Sequence, residues 1–222
     1  EESIVRQDNP TLSLKPGPLT DGVTAGTVAK NNSVSVTLVM VPPWQTKMPP
    51  LGLAYLSSFL RSQGVRTRVM DLNVKLFNNS ESEKKYFWDI ITISNFTPAQ
   101  LGQLFCDKFS SPINNFINEI INSEEEIVGL STTIASLNVA VHIAHQIKLK
   151  NPSKIVILGG PGVFWNTQTI DPEKLIDIFV VGEGELPLLE IIRRFEKNKT
   201  LESLIGIPGT IVQWGGRYHI FS

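Results

Sequence analysis

The sequence predicts an α/β protein built on an open, doubly wound sheet of five parallel strands. Three observations carry that reading. Short apolar, β-branched runs recur at residues 34–41, 65–72, 127–130, 155–158 and 178–181, and continuous runs of this kind suit strands covered on both faces. Stretches with helical spacing of apolar residues separate them, which is the rhythm of a parallel sheet. Several strands also end in segments rich in glycine, proline or hydroxyl side chains, where open sheets of this class bind their ligands.

Residues 1–33 are rich in Pro, Gly, Thr and Asn (Pro10, Pro16, Gly17, Pro18, Gly22 and Gly26 among them) and show no period. They read as a flexible arm. Residues 34–205 hold the domain proper. Pro42-Pro43 ends the first strand, and Pro49-Pro50 opens a helix in whose first turn a missing N–H costs nothing. Leu53, Leu56, Phe59 and Leu60 share one face of that helix, Gly64 stops it, and the second strand ends at Asp71. Residues 73–123 break the alternation. Phe105, Phe109, Ile113, Phe116, Ile117 and Ile120 recur there at helical spacing, so the segment reads as a mostly helical insertion between strands two and three. Helices follow at 137–150 and 185–195, the latter with Pro187 in its first turn. Residues 206–222 read as a terminal hairpin, 210–213 and 217–220 across Gly215-Gly216, and as the start of a linker.

Composition excludes several classes. Hydrophobic residues make up 41% of 222 and charged residues 18%, enough apolar material for a core and too much for a disordered chain. A formal net charge of −1 gives no basic footprint for a nucleic-acid partner. No apolar run reaches the roughly 18 residues that span a bilayer, and the first residues lack the apolar stretch of a signal peptide, so a cytoplasmic location is expected. Cys106 is the single cysteine. It cannot form an internal disulfide, and one thiolate cannot hold an iron–sulfur cluster. It reads as a small buried hydrophobe.

Candidate site residues fall at the strand ends. Gly159, Gly160, Pro161 and Gly162 offer backbone without bulk, either for a flat ligand or for a turn needing positive φ. Ser131, Thr132 and Thr133 could bond a ligand or cap the next helix. Gly182, Glu183 and Gly184 precede a helix at which Glu185 suits the positive end of the dipole. No dinucleotide fingerprint or phosphate-binding P-loop occurs. His142 and His145 point away from the apolar stripe of their helix and are expected to face solvent. With no third ligand for them, no protein-held metal and no catalytic triad are expected.

In order along the chain, Met48 to Leu56, Val69-Met70-Asp71-Leu72-Asn73, Ile127 to Ser131, Ile157 to Pro161, Val180 to Glu185 and Ile207-Pro208-Gly209 resemble the cobalamin-binding domain that precedes the catalytic barrel of many radical SAM enzymes. The resemblance covers about residues 34–213 and implies a flavodoxin-like (Rossmann-like) fold. The insertion is similar to one found in members that modify peptides or natural products. The resemblance implies that the cofactor's nucleotide tail threads between the sheet and a flanking helix, past residues 131–133 and 159–162. Trp44, Gln45, Met48 and Asn73 join the cofactor-binding set on the same ground. Other cobalamin proteins supply a cobalt-ligating His in a DxHxxG loop, whereas here the loop reads Pro42-Pro43-Trp44-Gln45-Thr46-Lys47-Met48. That implies cobalt without a protein imidazole, with Trp44 or a neighbour beneath it. The chain is therefore expected to bind and not catalyse, and to partner a radical SAM barrel lying outside residues 1–222. That barrel would carry the four-iron four-sulfur cluster and S-adenosylmethionine, and the parent enzyme would be a methyltransferase. A module that has lost its cofactor, or half of a two-domain transferase, are the alternative readings.

Overall fold

The computed structural model describes residues 34–164 and 167–221, and the arm expected at 1–33 lies outside them. Strands β1 (Ser35–Met40), β2 (Arg66–Asp71), β3 (Ile127–Ser131), β4 (Ile155–Gly159) and β5 (Ile178–Val180) pair in parallel. Their order, β2-β1-β3-β4-β5, is the flavodoxin-like order, whose winding reverses between β1 and β3. The terminal hairpin departs from expectation. Strand β6 (Thr210–Trp214) pairs antiparallel with β5, and β7 (Arg217–Phe221) pairs with β6, so the sheet has seven strands and not five. The reason lies in β6 itself. Ile211 packs into the core on one face of the sheet and Val212 into the core on the other. A strand apolar on both sides belongs inside a sheet, and by joining it β6 covers an edge that β5 would otherwise expose.

Helices α1 (Leu51–Ser62) and α8 (Glu185–Asn198) cover one face of the sheet. The insertion covers the other, as α2 (Leu72–Asn78), a 3-10 turn (Ser82–Trp88), α3 (Ile90–Ser94), α4 (Pro98–Lys108) and α5 (Ser110–Ile121), beside α6 (Leu137–Lys150). Short α7 (Thr167–Ile170) lies between β4 and β5. The cap of α4 is a reciprocal box between Thr97 and Gln100, a signal that sets where a helix begins. In β1 every residue is buried. Val36, Leu38 and Met40 face α1 and α8, while Val39 and Val41 face the insertion, the alternation expected of a strand with two covered faces.

The amino ends of the strands are closed by a polar network. The Lys148 ammonium donates to Asp177 Oδ1 at 2.9 Å, and Asp177 Oδ2 accepts the Val156 N–H at 2.7 Å. The buried Lys154 ammonium donates to the carbonyls of Ser123 and Glu125, each at 2.6 Å. A second buried carboxylate anchors the hairpin. Fully buried Asp171 accepts from the Tyr218 hydroxyl at 2.5 Å and the Ile176 N–H at 2.8 Å, and pairs with His145 Nε2 at 2.8 Å. His145 therefore does not face solvent as expected, because Asp171 and Glu173, distant in sequence, close over it. His142 is exposed.

Burial pushes the Asp171 carboxyl up, but hydrogen bonds from His145, Tyr218 and Ile176 outweigh it and hold it below the ordinary carboxylate value. A depressed pKa in the folded state contributes stability above the unfolded value, near 4, and that stability is lost as the pH falls through the folded value. Asp171→Asn should therefore cost about 1–3 kcal/mol at neutral pH and flatten the loss of stability below about pH 4. Urea melts from pH 7 to pH 3 measure both, and an unchanged acid limb would show that Asp171 is not the group responsible.

Candidate functional site

The site begins with a residue that has no side chain. Across β1, β3 and β4 the register places Leu38, Gly129 and Ile157 side by side, with Val180 of β5 continuing the same face. At Gly129 the sheet presents bare backbone, and a Cβ there would stand 3.0 Å from Leu38 Cδ2. Leu53 and Leu56 of α1 and Leu188 of α8 arch over the gap. Between helices and sheet they leave a slot of about 470 Å³, within the size range of small-molecule sites. Gly52 stands in the slot's wall at the start of α1, where a Cβ would meet nothing within 4 Å.

The slot opens at the carboxyl ends of the strands. Ser131, Gly159, Gly160, Pro161, Gly182, Glu183 and Gly184 line it there, which brings seven of the expected site residues together. The other seven lie elsewhere. Thr132 is buried and its hydroxyl donates to the Gly159 carbonyl at 3.1 Å. Thr133 is bound into the turn before α6, its N–H donating to Ser136 Oγ at 2.8 Å. At Gly162 a Cβ would lie 2.5 Å from the Thr133 carbonyl, so the chain passes too close for any other residue. Gln45 and Met48 are exposed in the loop after β1. Trp44 packs partly buried against the α1 and α8 core, its indole N–H buried without a partner among the described residues. Asn73 is 1% exposed and bonds both the N–H and the carbonyl of Trp44, at 2.8 and 2.9 Å.

The hydroxyls of the Ser131-Thr132-Thr133 run thus divide. Two are consumed by the fold, and Ser131 Oγ, at the slot, has no hydrogen-bond partner among the described residues. It is the polar group free to bond a ligand, with the Glu183 and Glu185 carboxylates at the mouth. Exposed apolar side chains occur on the same side of the sheet: Met48, Leu51, Ile134, Phe164 and Leu186 are each more than half exposed, all on loops or helix starts following β1, β3, β4 and β5, and Phe164 lines the slot itself. Sequence reasoning left Gly129, Gly52 and the leucines of α1 and α8 out of the candidate set. A glycine inside a strand is itself a signal of close approach, and Gly129 within Ile127-Val128-Gly129-Leu130 carries it.

Among the described residues no group of three His, Cys, Asp or Glu side chains is placed to hold a metal ion. Burial first, and the neighbouring Asp107 charge second, push the Cys106 thiol up to about 12, far from the thiolate needed for ligation or attack. No described helix is long and apolar enough to cross a membrane.

No family model matches the chain. It is 27% identical over 179 residues to an uncharacterized methyltransferase of Pyrococcus horikoshii, an alignment covering 77% of this chain and 31% of that protein. Its fold is similar to that of TsrM, a radical S-adenosylmethionine methyltransferase from Kitasatospora setae. One TsrM structure, with tryptophan and a SAM analogue bound, superposes with a TM-score of 0.57 at 16% identity over 85% of this chain and 30% of TsrM. Another, with cobalamin and a [4Fe-4S] cluster bound, gives 0.55 at 16% identity over 84% and 30%. The likeness is one of fold, and the chain spans under a third of each of these relatives.

Gly160 combines a φ of +95° with a site where a Cβ would lie 2.6 Å from the Thr132 carbonyl, whereas Gly182, at +86°, has open space around it. Gly160→Ala should destabilise the fold by about 2–4 kcal/mol and Gly182→Ala by only about 1 kcal/mol. Urea denaturation of the two variants decides this, and equal losses would contradict the close contact between β3 and β4.

Proposed function

We propose that the chain is the cobalamin-binding domain of a larger cobalamin-dependent radical SAM enzyme, most simply a methyltransferase. The observation that carries the reading is the slot opened by Gly129 at the switch point of a flavodoxin-like sheet. It is narrow, apolar and set between sheet and helices, which suits a planar benzimidazole on a thin nucleotide tail. Exposed Phe164 at the slot and other exposed apolar side chains on the strand-end loops suit a broad corrin face. Fold likeness to a protein that has been seen with cobalamin and a [4Fe-4S] cluster supports the same reading, as does sequence likeness to a methyltransferase.

In this reading Leu38, Ile157, Val180, Leu53, Leu56 and Leu188 bury the tail's apolar ring and exclude water from it. Ser131 donates a hydrogen bond to a tail oxygen or nitrogen. Gly52 and Gly129 keep clear the volume the tail would need, and Gly159 and Gly182 would let the ring approach the strand ends. Cobalamin held there would supply methyl-transfer chemistry. The chain's own residues orient it towards a partner domain that holds the iron–sulfur cluster and S-adenosylmethionine. With no His between Val41 and Leu51, cobalt has no imidazole from that loop.

Hydroxocobalamin should co-elute with the purified chain on gel filtration. Gly52→Phe, whose ring enters open space, should melt within a few degrees of the wild type yet lower hydroxocobalamin affinity by at least about tenfold. A wild-type chain that retains no cobalamin would favour a module without a cofactor. Unchanged affinity in Gly52→Phe would place the ligand outside the slot. Electron paramagnetic resonance of the cobalt(II) complex offers a separate check. The spectrum should lack axial-nitrogen splitting, and a nitrogen triplet would mean that a histidine or the cofactor's own base is bound to cobalt.

A further inference from the structure

We propose that Asn73 and Trp88 are positioning residues, through which the helical insertion sets the conformation of the loop after β1. The inference rests on the cobalamin reading of the slot, because that loop carries Trp44 and leads into α1. Residues 42–49 form few bonds of their own. Among the described residues their hydrogen bonds are the two that Trp44 makes with Asn73. The Asn73 carboxamide behaves as a detached peptide group. Its Oδ1 accepts the Trp44 N–H at 2.8 Å while its Nδ2 donates to the Trp44 carbonyl at 2.9 Å. One side chain therefore satisfies both backbone groups of Trp44.

Trp88 locks that carboxamide in the orientation the Trp44 bonds require. Its indole N–H donates to the same Oδ1 at 2.6 Å. Two donors converging on one atom require it to be the oxygen, so a flipped amide would set N–H against N–H. Trp88 is in turn held edge-on against Phe77, Phe105 and Phe109, with ring centroids 5.5, 5.4 and 5.4 Å away. These aromatics belong to α2, to α4 and to the junction before α5, all within the insertion. The chain of contacts runs from the insertion's aromatic cluster through Trp88 and Asn73 to Trp44. The Trp44 side chain then packs on the cluster containing Leu53, Val180 and Leu188, which wall the slot. Asn73 thus acts on the cofactor through the loop, and Trp88, on the opposite face of the sheet from the slot, acts through Asn73.

The test compares Trp88→Phe, which deletes the indole N–H and keeps an aromatic ring, with Ile113→Val, which trims the insertion's core away from Asn73. Two quantities are measured on each chain: hydrogen exchange of the Trp44 backbone amide by NMR, and hydroxocobalamin affinity by visible titration. Trp88→Phe should speed Trp44 exchange and weaken hydroxocobalamin binding by about five- to tenfold each, leaving the Val39 amide of β1 unchanged. Ile113→Val should change neither. Should Trp88→Phe fail to fold, Asn73→Ala leaves the aromatic cluster whole, removes all three bonds and should produce larger shifts of both kinds. Trp44 exchange as slow as in the wild type, or an equal effect from Ile113→Val, overturns the proposal. Faster exchange with unchanged affinity overturns the positioning role. A wild-type chain that binds no hydroxocobalamin refutes the cobalamin reading instead, and the Trp44 amide then still decides whether Asn73 and Trp88 hold the loop.

Discussion

A sheet with helices on both faces closes tightly unless something holds a gap open, and here the missing side chain at Gly129 does so. With any larger residue at that register, the row Leu38, residue 129, Ile157 would be continuous, and the added side chain would fill part of the slot. Burying one more aliphatic side chain at such a site is worth about 1.5–3 kcal/mol, so leaving the row incomplete forgoes stability that this fold could have had. The vacancy lies on the α1 and α8 face alone. On the other face Val128 and Leu130 of the same strand pack fully against the insertion. Space is thus conceded at one place and nowhere else along β3.

The two ends of the sheet are treated oppositely. At the amino ends, buried Asp177 and Lys154 and half-buried Lys148 tie strand ends and turns together. Burying charges is tolerable when they find partners, as Asp177 and Lys154 do. At the carboxyl ends the chain is pared down to glycine and proline. Where β3 and β4 finish, Thr132 bonds Gly159 through both its N–H and its hydroxyl, so the two strand ends move as one rigid lip. Among the described residues of that lip, Ser131 keeps a free hydroxyl. A rigid rim with little side-chain bulk and one uncommitted donor is suited to holding a ligand larger than the slot itself.

Much of this was legible in the sequence. The parallel strands announce themselves because each is a short aliphatic run with coverage on both faces, and the observed β1 to β5 lie within a residue or two of the expected ranges. The hairpin's membership of the sheet was missed because Gly215-Gly216 advertises a turn, whereas the pairing of β6 with β5 is a tertiary fact that no local pattern states. The strand-end glycines were legible as special, but not the division of labour among them. Gly160 and Gly162 serve close packing against Thr132 and Thr133, Gly129 leaves bare backbone in the slot wall beside Leu38, and Gly52 leaves open space, uses that only the three-dimensional arrangement separates. The bonds of Asn73 and the burial of His145 were illegible for the same reason. Their partners, Trp44 and Trp88 for one and Asp171 for the other, come from segments 15 to 29 residues away.

The central claim is that the gap over Gly129 exists to receive a ligand's tail. A crystal structure of the chain grown with hydroxocobalamin tests it most directly. Benzimidazole density is expected between α1 and α8, resting on the Gly129 backbone within hydrogen-bond reach of Ser131 at its nucleotide end. Cobalamin bound away from the slot, with the space over Gly129 still open, would contradict it.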